Sequence, residues 1–410
     1  MRSSRRSYIP WAYFRLAVLV GGLQALGRRA EVAQRFAQSN YRDHLDAYTC
    51  RIAIAEMLAN VWDASWDRCE EAAQWLREAV QRKGGMLVGL GWSHFALGLV
   101  SLERNKLDAA LQHFGSVTTI AYGANLQSVA HSLVGLALIY QDQGQTERAD
   151  AAATECQRIA EAANAPDLLV QARSVQARLA LMRGDRDTAL RLVSLLPDIP
   201  PSPVNMMWVD APLITRARVW LAQDTPVATA RARRVLGELL AWSRASHSVR
   251  REIELLVLSA LAYEQAGRRE HAIDSLGQAV RLAQLRGSVR VFLWAGQPLV
   301  PLLGFLQARG IEPRFVDHLL AQFLAVLPES DLARARQQPR HAIHLIEPLT
   351  NREMEVLEAI AQRRTNKEIA ARLVIAPTTV QRHLSNLFQK LDVANRRDAV
   401  DKARELGVLD

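Results

Sequence analysis

Cysteine is scarce in this chain. Three cysteines in 410 residues, Cys50, Cys69 and Cys156, are odd in number, widely spaced and without a CxxC pair, which argues against a disulfide framework or a zinc site. Aromatics make up 6% of the residues, and long alternations of Val, Ile and Tyr are missing, so β structure should be negligible. Membrane-length apolar runs are missing too. The segment "RLAVLVGGLQAL" is uncharged only from Leu16 to Leu26, shorter than the ~20 residues a span needs, and reads as a buried helix. The basic leader "MRSSRRS" is followed by Arg15 and no small-residue cleavage site, which leads to the expectation of a cytoplasmic chain with no membrane association. No GxxxxGK[ST] cradle for nucleotide phosphates occurs, nor a serine, histidine and acid cluster or a metal-ligand spacing. His94, His113 and His131 read as ordinary helix residues. The expectation is a protein that is not an enzyme and carries no cofactor.

What is present is apolar and basic. Hydrophobic residues make up 49% of the chain and its formal net charge is +9, which permits a polyanionic partner without demonstrating one. The length corresponds to two or three domains with ample core. Four segments can be superposed: "LVSLERNKLDAAL" from 99, "LIYQDQGQTERAD" from 138, "RLALMRGDRDTAL" from 178 and "AYEQAGRREHAID" from 262. Each places a turn residue five positions before an alanine: Asn105 and Ala110, Gly144 and Ala149, Gly184 and Ala189, Gly267 and Ala272. Gly and Asn accept the left-handed backbone that ends a helix, and a small residue lets the next helix fold back closely, so each segment is the bend of a helical hairpin. A degenerate turn near Asp224 and Pro226, and weaker ones at Gly27 and Asp63, bring the expected number to about seven hairpins. Such hairpins cannot bury their apolar faces alone and should stack into a curved solenoid with an extended concave surface. The competing reading is an irregular helical domain without a binding role. Trp11, Trp62, Trp66, Trp75, Trp92 and Trp208 are read as packing residues rather than ligand contacts.

The periodic pattern stops at "PESDLARARQQPRHAIHLIEP", a proline- and arginine-rich stretch in which His341 and His344 lack companions for a metal. Residues 1–327 are therefore assigned to the repeats, 328–346 to a linker and 347–410 to a C-terminal domain. That domain opens with three helix-start signals: Thr350 with Glu353, Thr365 with Glu368, and Asn395 with Asp398. Met354, Leu357 and Ile360 or Ala361 mark the inner stripe of its first helix, and Ile369, Ala370 and Leu373 that of a short second one. Pro377 suits the first position of a third helix that buries Val380, Leu384, Leu387 and Leu391. Its other faces carry Thr378, Thr379, Gln381, Arg382, His383, Ser385, Asn386, Gln389 and Lys390. Two short helices joined by a tight turn, the second polar outside, make a helix-turn-helix suited to the major groove of DNA.

The elements "LTNRE", "NKEIAARL", "TTVQRHLSNLFQKL" and "NRRDAV" resemble the LuxR-type (GerE-like) DNA-binding domain from Leu349 to about Ala403. The resemblance implies an all-α, four-helix module that dimerises on partly palindromic double-stranded DNA. It implies DNA-contacting positions at Thr365, Asn366 and Lys367, at Thr378, Thr379, Gln381, Arg382 and Ser385, and at Lys390. Three departures stand out: Arg363 and Arg364 where the family has a small residue, Ala376 where it has a capping serine, and Gln381 where it has lysine. A glutamine can pair bidentately with adenine, or the exchange can be a neutral loss of charge. The end of the repeats, "AYEQAGRREHAIDSLGQAVRLAQLRGSVRVFLWAGQPLVPLLGFLQARG" with "FVDHLLAQF", resembles the helical-repeat domain of MalT-like, ATP-binding LuxR-type regulators. Tetratricopeptide repeats (TPR) are similar but shorter, at 34 residues.

The expectation is an all-α, TPR-like solenoid followed by a LuxR-type helix-turn-helix. In function it would be a transcriptional regulator whose repeats sense a small-molecule effector or protein partner and whose C-terminal domain binds promoter DNA as a homodimer. Two alternatives stand beside it: an interaction scaffold that no longer binds DNA, and a truncated form of an ATP-dependent regulator.

Overall fold

The computed structural model describes residues 45–120, 125–202, 206–326, 351–362, 364–373, 375–391, 393 and 395–405, with positions 31, 34, 36 and 42 ahead of them. The turn at Gly27, Trp11, the 16–26 segment, the 328–346 linker with its two histidines, Thr350, Arg363 and residues beyond 405 lie outside the described residues. Among the described residues all regular structure is helical, and no helix is long and apolar enough to cross a membrane. The helices form two compact units. One runs to Leu302 and includes Arg314–Leu319; the other holds Leu303–Pro313 and the residues from Leu320 onward.

Among the described residues, six antiparallel hairpins make up the first unit: α1 (Ala47–Trp62) with α2 (Trp66–Lys83), α3 (Leu87–Glu103) with α4 (Leu107–Thr119), α5 (Leu126–Asp142) with α6 (Thr146–Ala162), α7 (Pro166–Met182) with α8 (Arg186–Ser194), α9 (Pro212–Leu221) with α10 (Pro226–Ala245), and α11 (Val249–Gln265) with α12 (Arg269–Gln284). Each bends at one left-handed residue. These are Ala64, Asn105, Gly144, Gly184, Asp224 and Gly267, with φ of 50° to 80°, and successive turns lie 39 to 43 residues apart. At five of the six, the following N–H donates to a carbonyl five residues back, at 2.8–2.9 Å, so the last open carbonyls of the helix are satisfied. The residue five positions after the turn makes an early hydrogen bond of the returning helix and is buried. It is Ala110, Ala149, Ala189 and Ala272 as the spacing predicts, and Cys69 and Thr229 in the two degenerate copies. Small volume, rather than alanine itself, is the requirement.

Adjacent hairpins pack through equally tight contacts. The Phe114 ring of α4 lies between Gly98 on α3 and Gly135 on α5, and a Cβ at either glycine would come within 2.6 Å of the ring. Trp62, Trp66 and Trp92 are buried.

The concave side is not the open surface that stacking alone predicts. After the short α8 the chain turns inward, and residues 206–210 form a strap held by the first helices of five successive hairpins. Trp208 stacks on His131 of α5 at 4.0 Å and on Trp92 of α3 at 6.0 Å. Asp210 accepts from Arg178 of α7 at 3.0 Å and from Thr215 of α9 at 2.7 Å, and Ser174 donates to it as well. From α11, Arg250 donates to the carbonyls of Met207 and Trp208 at 3.0 and 2.8 Å, while Arg251 reaches those of Met206 and Trp208. A second set of buried pairs surrounds the strap: Arg250 with Glu103 at 2.7 Å, Arg218 with Glu254 at 2.9 Å, and Arg251 with Glu254. Burial alone would push the Glu254 carboxyl up, but Arg251, Arg218, Arg178 and Arg250 outweigh it and hold it well below the carboxylate range. Burial and Arg250 lower Arg251 to about 10. His131 is driven down to about 3 by burial, with Arg251 adding to the effect, and stays neutral.

The first and the last of these described hairpins also meet. Trp62 Nε1 donates to the Ser246 carbonyl at 3.0 Å, Trp66 Nε1 to Ser288 Oγ at 2.8 Å, and Arg286 pairs with Asp63 at 3.1 Å. Val289 N donates to the Glu103 carbonyl at 2.8 Å, and Arg290 reaches Asn105 and Asp142. The first three hairpins are thus joined to the sixth and the segment after it. Helix α13 (Arg290–Leu293) and a 3-10 turn (Gln297–Leu299) follow, then α14 (Val300–Ala308) and α15 (Pro313–Val326).

Candidate nucleic-acid interface

Four helices make up the C-terminal part of the second unit: α16 (Asn351–Ala361), α17 (Asn366–Leu373), α18 (Pro377–Leu391) and α19 (Arg396–Glu405). They share one core in which Val356, Leu357 and Ile360 of α16 meet Ile369 of α17, Val380, Leu384, Leu387 and Leu391 of α18, and Ala399 and Ala403 of α19. The four α18 residues are those whose spacing predicts the inner stripe.

Capping fixes where the helices start. Thr365 N donates to Glu368 Oε2 at 2.7 Å and Glu368 N to Thr365 Oγ1 at 3.4 Å, the reciprocal box expected from the sequence. These hydrogen bonds from the Thr365 backbone and hydroxyl keep the Glu368 carboxyl below its ordinary value. Asn395 and Asp398 form the third start, with Asp398 N donating to Asn395 Oδ1 at 3.0 Å. Between α17 and α18, Ile375 N donates to the Ala370 carbonyl at 3.0 Å, and the Ala376 carbonyl accepts from Thr379 and Val380 at 2.9 and 3.2 Å. Pro377 occupies the first position of α18, as its missing N–H allows.

The candidate contact residues fall into three groups. Thr378, Gln381, Arg382 and Ser385 are exposed on α18 at i, i+3, i+4 and i+7, with Thr379 half-buried beside them; Ser385 Oγ donates to its own helix at the Gln381 carbonyl, at 3.1 Å. At the start of α17, Lys367 is exposed, whereas Thr365 is committed to its capping box and Asn366 Oδ1 accepts from Arg396 Nη2. Lys390 stands apart: its ammonium lies 2.8 Å from Oε2 of Glu353, a carboxylate only 3% exposed. Thr350, the expected capping partner of Glu353, lies outside the described residues; the pair with Lys390 anchors α18 to α16.

Sequence reasoning did not find the residues that hold this framework. Arg396 donates to the Arg364 carbonyl at 2.8 Å and to Asn366, tying α19 to the start of α17, and Arg352 donates to the Leu373 carbonyl at 2.5 Å. Nothing in helical periodicity marks an arginine as a clasp for another helix's backbone. Elsewhere the three cysteines are buried and unpaired; burial pushes the Cys50 thiol up to about 11 and those of Cys69 and Cys156 to about 12. Among the described residues no group of three His, Cys, Asp or Glu side chains is placed to hold a metal ion.

A stack of helical hairpins in the same chain as a helix-turn-helix defines a class, the helical-repeat regulators. Residues 5–309 match the family model described as the MalT-like TPR region, and residues 347–403 match that of bacterial regulatory proteins of the luxR family. The chain belongs to the MalT-like TPR family and ends in a LuxR-type helix-turn-helix. It is similar to the protein named HTH-type transcriptional regulator MalT from Klebsiella pneumoniae strain 342, with 31% identity over 205 residues, 47% of this chain and 22% of that one. The protein of the same name from a second Klebsiella pneumoniae strain matches to the same extent. The chain spans about a fifth of the length of these relatives.

Proposed function

We propose that this protein is a cytoplasmic, non-enzymatic transcriptional regulator that binds promoter DNA as a homodimer through α18 and responds to an effector or partner held by its repeats. The observation that carries this reading is the α18 surface, where a fully buried apolar seam fixes the helix while Thr378, Gln381, Arg382 and Ser385 stand exposed on one side. A helix so fixed and so decorated has the build of a major-groove reader. Arg382 and Lys367 supply charge for phosphate oxygens, and Gln381 supplies the paired donor and acceptor that match an adenine edge. Lys390 contributes to this surface by holding α18 in place through Glu353. On this reading, its replacement weakens DNA binding through the fold.

Band shifts with the full chain test the proposal. Arg382→Ala should weaken binding to all sequences and lower the salt dependence by about one phosphate's worth. Gln381→Lys should change the preferred base if the glutamine reads DNA, and should raise affinity uniformly if it does not. A chain with no salt-sensitive DNA binding would instead be an interaction scaffold.

A further inference from the structure

A cleft that the strap does not fill lies on the first-helix side of the repeat unit. Its volume is about 450 Å³, and it lies between the first helices of the fourth, fifth and sixth hairpins, beside the segment that follows α13. One wall is apolar, with Leu181 and Met182 from α7, Leu221 from α9, Leu258 and Leu261 from α11, and Pro298. The opposite side carries three arginines and two carboxylates, Asp224 at the exposed rim and Glu264, which is paired with Arg269. Arg178 and Arg218 line it, both almost fully buried, and Arg186 stands exposed at the margin with no ion-pair partner among the described residues. Trp294 joins the two sides: the Arg178 guanidinium lies 4.3 Å over its ring.

Two features of the buried arginines on this side are unbalanced. The buried cluster behind the cleft sets four arginines, Arg178, Arg218, Arg250 and Arg251, against three carboxylates, Asp210, Glu254 and Glu103. Two buried donors of cleft-lining residues, Arg218 Nε and Trp294 Nε1, have no acceptor. A buried cation excess and unmatched N–H groups are unfavourable alone and are relieved by an anion that accepts hydrogen bonds. A cleft of this size suits a small molecule, and its apolar wall requires that most of the molecule be apolar.

We propose that this cleft binds a small amphipathic carboxylate, an aliphatic or aryl chain of roughly six to ten carbons carrying one anionic head. The chain lies along the leucine wall, and the head is held at Arg186 and the Arg218–Trp294 side. The proposal rests on the reading of the repeats as the sensing part of the protein and names the ligand class for it.

The test is calorimetry and thermal shift on the full chain with octanoate and 3-phenylpropionate, with octanol and sulfate as controls. Both carboxylates should bind and raise Tm, octanol and sulfate should bind at least about tenfold more weakly, and each control isolates one half of the ligand. Arg186→Glu, an exposed position, should weaken octanoate about tenfold or more, in the range of a lost charge-assisted hydrogen bond. Met182→Trp should abolish binding by filling the cleft. Trp294→Phe should weaken it a few-fold while leaving Tm of the free protein near wild type. No carboxylate binding, equal binding of octanol, or unchanged octanoate affinity in both Arg186→Glu and Met182→Trp overturns the proposal. Salt-sensitive DNA binding, measured on the same preparations, separates the outcomes. If it persists without carboxylate binding, the ligand class is wrong and the regulator reading stands; if it is absent, the regulator reading has failed on its own terms.

Discussion

His131 shows how one side chain can make the stability of the repeat unit depend on pH. It is 1% exposed, both ring nitrogens lack partners, and the Trp208 indole lies parallel to it at 4.0 Å. Its pKa falls to about 3 in the folded state, against an ordinary histidine value of about 6.5, so the unfolded chain takes up a proton below pH 6.5 that the folded chain refuses. The stabilisation is therefore complete above that pH and is lost as the pH falls towards 3. Phenylalanine keeps the stack and forfeits no hydrogen bond. His131→Phe should be close to neutral in urea unfolding at pH 7.5 and more stable than wild type by about 2 kcal/mol at pH 5. A constant difference across that range would show that the ring titrates normally in the fold. The sequence contains no sign of this, because His131 occupies a helix position that periodicity assigns only to the inside.

Elements were the most legible level, because helix ends depend on short-range backbone chemistry. The left-handed turn with a small residue five positions on was visible in four copies, and the copies at Ala64 and Asp224 follow it with Cys69 and Thr229 in place of alanine. The capping box at Thr365 and the buried stripe of α18 were legible for the same reason. Lys390 was not, since its pairing with Glu353 joins residues 37 apart. Two predictions belong here. Ala376 precedes Pro377 without a side-chain acceptor, so Ala376→Ser should stabilise the C-terminal unit by about 1 kcal/mol, read as a higher unfolding midpoint. Gly135→Ala places a methyl group against the Phe114 ring, and the resulting overpacking should cost about 1–3 kcal/mol in urea unfolding. Pairing it with Phe114→Leu should recover part of that loss.

At the scale of the molecule, period and stacking suggested an open solenoid, and this is where the sequence was least informative. The strap and the contacts between first and sixth hairpins depend on isolated polar residues such as Asp210, Arg250 and Trp66, each of which looks locally like an ordinary helix or loop position. Closure changes how the repeats should unfold. An open array frays from its ends, because each repeat meets only its neighbours. Here the first hairpin is held by Ser246, Arg286 and Ser288, so amide exchange in α1 and α2 should be as slow as in α11 and α12. Ser288→Ala, which removes the Trp66 partner, should speed exchange in the first hairpin most; exchange that is already fast there in the wild type would argue for an open array. The closing contacts of the first hairpin join residues 184 to 223 positions apart. At about 5–20 residues per second, the ribosome needs roughly ten to forty seconds to supply the partners that Trp62 and Trp66 await. For that interval the newborn first hairpin carries two indoles destined for burial, a surface of the kind chaperones hold.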